Sequence, residues 1–305
     1  MTTNDTTTSS VSAIGLECRG LALSFGRVRA LDGFNLTLTA GEAVGIVGRN
    51  GAGKSTLFRA IIGAESLERG TIRSTTPTLT RLPLLARTGF VPDTLSAYDW
   101  MRVGESIAYV AALQPNFDAA WSRELQALLE LDLDVRVRDL SRGMQARLAF
   151  VLGLSHKPDL VLLDEPLLGV DAVTHDAVLE MLARMRATHQ CTMLIASHQL
   201  GDLARLTDRV VFMDRGRDVC SINTDELASG STRLIVRGLS LEWKPNFDRV
   251  HFRRQDGACV LTLQGDVEPA IKAILANEPS ARFERVALSI NEACADRLRA
   301  MEDRS

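Results

Sequence analysis

The stretch Gly48-Arg49-Asn50-Gly51-Ala52-Gly53-Lys54-Ser55-Thr56 decides the reading of this chain. A glycine, four intervening residues and then Gly-Lys-Ser is the spacing of a nucleotide-phosphate loop. Its glycines let the backbone turn so that successive N–H groups point at phosphate oxygens. Lys54 neutralises charge on the β- and γ-phosphates, and the Ser55 hydroxyl is placed to ligate Mg²⁺. The flanks agree with the motif. Ala43 to Val47 is a short apolar run, and Ser55 to Ile62 has helical composition with apolar Leu57, Phe58, Ile61 and Ile62, closed by Gly63. A buried strand running in and a helix running out would aim the helix N-terminus at the phosphates of ATP or GTP.

Further out, the 305 residues are 46% hydrophobic, enough to bury a full core in one large domain with a small one attached, or in two domains. A net charge of -3 with 24% charged residues shows no basic excess, so nucleic acid is not the expected partner. Cys18, Cys191, Cys220, Cys259 and Cys294 are scattered, odd in number and without a Cys-x-x-Cys pair. They read as small apolar residues of a reduced, cytoplasmic protein. Residues 1–12 are rich in Thr and Ser and read as a disordered tail. No uninterrupted apolar run approaches the ~20 residues that cross a bilayer.

Alternating apolar positions between Leu16 and Gly41, such as Leu21, Leu23 and Phe25 and then Phe34, Leu36 and Leu38, predict antiparallel strands before the loop. Helical periodicity between about Tyr98 and Leu140, with an apolar cluster of Leu125, Leu128, Leu129 and Leu131, predicts a helical insertion. Short apolar strands at Leu160 to Leu163, Thr192 to Ala196 and Arg209 to Met213, alternating with amphipathic helices, predict a parallel, helix-covered sheet. Past Asp225, alternating stretches at Arg233 to Val236, Val250 to Arg253 and Val260 to Leu263, with helices near Val267 to Ala276 and Asn291 to Met301, predict a small α+β module.

Leu160-Val161-Leu162-Leu163-Asp164-Glu165 is a buried strand ending in two carboxylates. Adjacent strand residues point opposite ways, so Asp164 can face a metal, directly or through water, while Glu165 faces a water at the γ-phosphate as general base. Taken alone, Asp-Glu-Pro reads more readily as a turn that starts the next helix; the phosphate loop upstream reverses that preference.

With the phosphate loop and this Walker B-like strand in order, the chain resembles the nucleotide-binding subunit of an ATP-binding cassette (ABC) transporter. Leu140-Ser141-Arg142-Gly143-Met144-Gln145 is similar to the family's signature, whose Ser141 and Gly143 backbone would contact a γ-phosphate held by the opposite subunit; Ser141 also reads as a helix N-cap. Ile195-Ala196-Ser197-His198 resembles the switch-histidine segment, Asp171 the dimer-contact aspartate or a second N-cap, and Phe25 the aromatic residue that stacks on adenine. Asp93, in Gly89-Phe90-Val91-Pro92-Asp93, stands where the family's metal-coordinating glutamine is usual. Arg142 and Met144 replace the first Gly and the Gln of the commonest signature.

The resemblance implies a P-loop NTPase core of mostly parallel sheet with an antiparallel β subdomain, a helical insertion and a small C-terminal α+β module. It divides the chain into an ATPase domain over 13–228, with a helical subdomain at about 95–155, and an accessory module over 229–305. It further implies Lys54, Glu165 and His198 as catalytic residues and Mg²⁺ at Ser55, Asp93 and Asp164. ATP would lie against Phe25, Asp93 and the loop from Gly48 to Thr56, with Ser141 to Met144 acting in trans. Two such subunits, alike or different, would sit under a transmembrane permease on the inner face of the cell membrane and hydrolyse ATP, and the variant motifs resemble export-type subunits. The alternative is a soluble cassette ATPase acting on ribosomes or nucleic acid.

Overall fold

The structure of the chain, a computed structural model, describes residues 13–76, 79–197, 204–240, 242–247 and 250–302. Its centre is a six-stranded sheet in the order β5-β6-β7-β3-β8-β9, built from β3 (Ala43–Val47), β5 (Thr88–Val91), β6 (Leu160–Asp164), β7 (Thr192–Ala196), β8 (Arg209–Asp214) and β9 (Arg217–Asn223). The first five run parallel and β9 closes the edge antiparallel. Every residue of β3, β6 and β7 is buried, which explains why these strands read as continuous apolar runs.

Strand alternation sorts their side chains between two cores. Val161, Leu163, Met193, Ile195, Val210 and Phe212 enter one cluster. Leu160, Leu162, Leu194, Ala196, Val211 and Met213 enter the other.

The second cluster is capped by α1 (Lys54–Ile62) and by an antiparallel sheet β2-β1-β4 of β1 (Leu16–Phe25), β2 (Val28–Leu38) and β4 (Arg69–Ser74). The first cluster carries α3 (Val103–Leu113), α4 (Ala119–Leu128), α5 (Arg142–Leu154) and α6 (Ala172–His189). Of the leucines expected to anchor the helical insertion, Leu125 and Leu129 are buried but Leu128 is largely exposed.

The C-terminal sheet β11-β12-β10-β13 consists of β10 (Ser231–Arg237), β11 (His251–Gln255), β12 (Ala258–Gln264) and β13 (Arg282–Ala287). One face packs on α8 (Glu268–Asn277) through Leu234, Val236, Leu261, Leu263, Ile271 and Ile274. Elements without a sequence signal include α2 (Arg81–Ala86), α7 (Thr224–Ser229) and β13, an edge strand without a fully buried residue. The last helix, α9 (Ile290–Glu302), sets Cys294 at 0% exposure within the first core cluster, against β9 and its surroundings. All five cysteines are free thiols, four of them buried. Among the described residues, no helix is long and apolar enough to cross a membrane.

Candidate functional site

Parallel sheets of this kind bind ligands outside the carboxyl ends of their strands. Here those ends open on a cleft of about 1080 Å³ lined by Phe25, the whole loop Gly48 to Thr56, Asp93 and Glu165. Gly53, the residue before α1, has φ 106, and a Cβ there would lie 2.3 Å from the Ala30 carbonyl oxygen, so glycine is required at this turn. The β8–β9 turn clamps the loop from above: the Gly216 N–H donates to the Ala52 carbonyl at 2.9 Å.

Lys54 Nζ donates to the carbonyls of Gly48 at 2.8 Å and Arg49 at 3.3 Å, and stands 3.9 Å from Glu165 Oε1. Burial lowers the Lys54 pKa, while Glu165 and Asp164 push it back up. An ammonium held on loop carbonyls is poised to exchange them for phosphate oxygens, which it binds more strongly as a charge-assisted pair.

Asp164 is buried at the end of β6, and burial raises its pKa to about 6, assisted by Asp93 and Glu165 and opposed by a hydrogen bond from Ser55 and by Lys54. Among the described residues, its Oδ1 is buried without a hydrogen-bond partner. A hydroxyl and two carboxylates, one of them with an orphaned buried oxygen, form a donor set suited to a hard divalent cation, which takes one or two protein carboxylates beside substrate phosphates. Ser55, Asp93 and Asp164 therefore fit Mg²⁺.

Glu165 adopts φ 48, a left-handed conformation in a non-glycine residue, and its N–H donates to the Ala196 carbonyl at 2.9 Å. Such strain costs of order 1 kcal/mol and persists only where the surroundings enforce it. It turns the carboxylate out of the strand and into the cleft.

Phe25, at the end of β1, is 48% exposed in the cleft. Ser141, Arg142, Gly143 and Met144 do not line the cleft of their own chain. They form the start of α5, where the Ser141 hydroxyl accepts from the Met144 N–H at 3.3 Å as an N-cap. A Cβ on Gly143 would lie 2.8 Å from the Gly169 carbonyl oxygen, so this turn abuts the loop after Glu165.

Asp171 caps α6, accepting from the Thr174 N–H at 3.0 Å, the Thr174 hydroxyl at 2.8 Å and Arg147 of α5. The Thr174 hydrogen bonds and Arg147 hold its carboxyl well below the usual range. His198 lies outside the described residues. The cleft also takes in Val28, Ala30, Leu168, Asp214, Arg215 and Leu298, which sequence reasoning missed. Arg215-Gly216 at the end of an apolar strand could have been read as a turn, but nothing in the sequence points Leu298 at this cleft.

A phosphate loop facing strand-end carboxylates under a parallel sheet defines the class of P-loop nucleotide-binding α/β proteins. Comparison narrows the class. A family model described as ABC transporter matches residues 31–168. The chain is 33% identical over 241 residues to the aliphatic sulfonates import ATP-binding protein SsuB 2 of Agrobacterium fabrum, covering 77% of this chain and 90% of that protein. It is 30% identical over 213 residues to the ABC transporter ATP-binding protein YtrB of Bacillus subtilis, covering 70% and 73%. A solved ATP-binding subunit of an ABC transporter aligns with a TM-score of 0.62 at 27% identity, over 70% of this chain and 91% of the other. The chain belongs to the ABC transporter family as an ATP-binding subunit, and it is an ATPase of that family.

Proposed function

We propose that residues 13–228 form an ATPase domain that works in a head-to-tail pair, of two copies or of this chain with a second ATPase subunit, and drives transport through a separate membrane permease. The observation that carries this reading is the convergence of Lys54, Ser55, Asp93 and Glu165 on one cleft, with Asp164 buried against Ser55, while the signature turn from Ser141 to Met144 stands apart at a helix N-terminus. A site split in this way needs a second subunit to supply its missing half.

In the mechanism, the loop N–H groups and Lys54 hold the β- and γ-phosphates, and Phe25 stacks on adenine. Mg²⁺, when bound by Ser55, Asp164 and Asp93, supplies positive charge to the phosphate oxygens. Glu165 orients a water on the γ-phosphorus and accepts its proton as the bond to the ADP oxygen breaks, releasing ADP and phosphate. His198 is assigned to the γ-phosphate, and Ser141 and the Gly143 N–H to the γ-phosphate of the opposite subunit. Asp171, besides capping α6, is assigned to the subunit contact.

The permease reading is supported by a groove close to Asp93. Ala97, Tyr98, Met101, Tyr109, Val110 and Leu152 line a cavity of about 490 Å³, beside Trp100 at 64% exposure. Exposed aromatic clusters of this kind mark protein-binding surfaces. Its place after the Asp93 loop would let nucleotide state reach a membrane partner, which puts the chain on the inner face of the membrane. The sulfonate relative is an importer by name. The export reading of this chain rests instead on Asp93, the Arg142 and Met144 signature and the module over 229–305.

Purification of the tagged chain from detergent extracts tests the assignment. A co-purifying multi-span membrane protein without ATPase motifs is the expected result, and recovery of ribosomes or DNA in its place overturns it.

A further inference from the structure

The cleft that holds the phosphate loop is not closed by the ATPase domain alone. Leu298, from the last helix of the C-terminal module, lines it together with Glu165, Leu168, Asp214 and Arg215. The helix α9 has two faces. Ile290, Cys294 and Leu298, spaced four apart, pack on the core cluster that contains Val210, Phe212 and Leu227. Asp296 points the other way and is 1% exposed. Its Oδ2 accepts from the Thr262 hydroxyl at 2.6 Å and from Arg233 Nη2 at 2.8 Å, while its Oδ1 accepts from Arg299 at 2.8 Å. Thr262 lies on β12 and Arg233 on β10, so this carboxylate pins the helix to the C-terminal sheet. Beside it, Arg297 donates to Gln264, whose amide donates to the Glu226 carbonyl of α7 at 2.8 Å. A truncated cassette ending near residue 228 would retain the phosphate loop, Asp164 and Glu165 and yet lack this wall.

We propose that α9 is part of the nucleotide site: Leu298 forms an apolar stretch of its wall, and the C-terminal sheet holds it there through Asp296. Docking of the helix and binding of ATP then favour each other, since coupling between two equilibria is reciprocal. The accessory module sets ATP affinity in this chain, and anything that loosens the module releases nucleotide.

The full-length protein tests this by calorimetric ATP binding and by hydrogen exchange along α9. Leu298→Ala should raise the ATP dissociation constant by roughly 3- to 10-fold, the effect of removing part of a buried apolar contact. ATP should slow exchange in α9 of the unaltered protein, a response that a purely structural helix would not give. Asp296→Asn, on the face away from the cleft, should weaken ATP binding in the same direction. Lys54→Ala reads the phosphate loop separately in the same assay. If Leu298→Ala loosens the module even without nucleotide, Leu298→Met must restore affinity. A dissociation constant within about twofold of the unaltered value in Leu298→Ala, exchange in α9 indifferent to ATP, or failure of Leu298→Met to restore binding overturns the proposal.

Discussion

Replacing Glu165 by Gln exchanges one carboxylate oxygen for an amide and removes one negative charge at nearly constant shape. That charge lies 3.9 Å from Lys54 Nζ, with the two side chains 14% and 7% exposed. At an effective permittivity of roughly 20, Coulomb's law gives about 4 kcal/mol for such a pair. That attraction competes with the phosphates for Lys54, and the same charge repels the γ-phosphate. Glu165→Gln should therefore bind ATP at least as tightly as the unaltered protein. Loss of a general base costs about 10²- to 10⁴-fold in rate, so phosphate release at saturating ATP should fall by that factor. The bound ATP should persist and trap the closed pair, visible as an ATP-dependent shift to a dimer in size-exclusion chromatography. Turnover within about tenfold of normal would refute the assignment of Glu165, because another group or solvent would then be accepting the proton. Weakened ATP binding would refute the electrostatic argument.

Asp164 gives a pH-dependent prediction. Its pKa is about 6 in the folded chain against 3.8 for the free carboxyl, so the folded state holds a proton that the unfolded state has lost. Its contribution to stability is fully present below the unfolded value and is lost as the pH rises through the folded one, a penalty of about 3 kcal/mol at alkaline pH. Asp164→Asn should stabilise the nucleotide-free protein to urea at pH 8, with the gain shrinking towards pH 4, while abolishing Mg²⁺-dependent ATP turnover; destabilisation at pH 8 would count against the burial argument. Phe25→Ala should leave thermal stability nearly unchanged, since the ring is exposed, and raise the KM for ATP by about 5- to 100-fold, the worth of a stacked base. Phe25→Trp should keep the KM low, and an unaltered KM in Phe25→Ala would remove the residue from the site.

Much of the architecture was legible because it follows from local periodicity. Val161 and Leu163 alternate with Leu160 and Leu162, and a run apolar at every position is a strand buried on both faces. The strand β13 was missed for the same reason: Arg282, Glu284 and Arg285 give it the look of a solvated segment, and only pairing with β10 makes it a strand. The apolar cluster of Leu125, Leu128, Leu129 and Leu131 marked the helical insertion, but composition does not say which of its leucines turn inward, and Leu128 stays exposed.

The sequence by itself determined the chemistry carried by neighbours in the chain. The loop from Gly48 to Thr56, the pair Asp164 and Glu165 and the capped turn at Ser141 are each short segments whose backbone geometry and function are set within a few residues. Tertiary structure alone decided what those segments meet. Asp93, just past β5, and Asp164, at the end of β6, are 71 positions apart and come near each other only because the two strands pair in parallel. Asp171 is tied to Arg147 across two helices, and Leu298 reaches the phosphate loop because Asp296 is buried against a sheet on the far side of its helix. Such contacts depend on packing between distant elements, which no local pattern encodes.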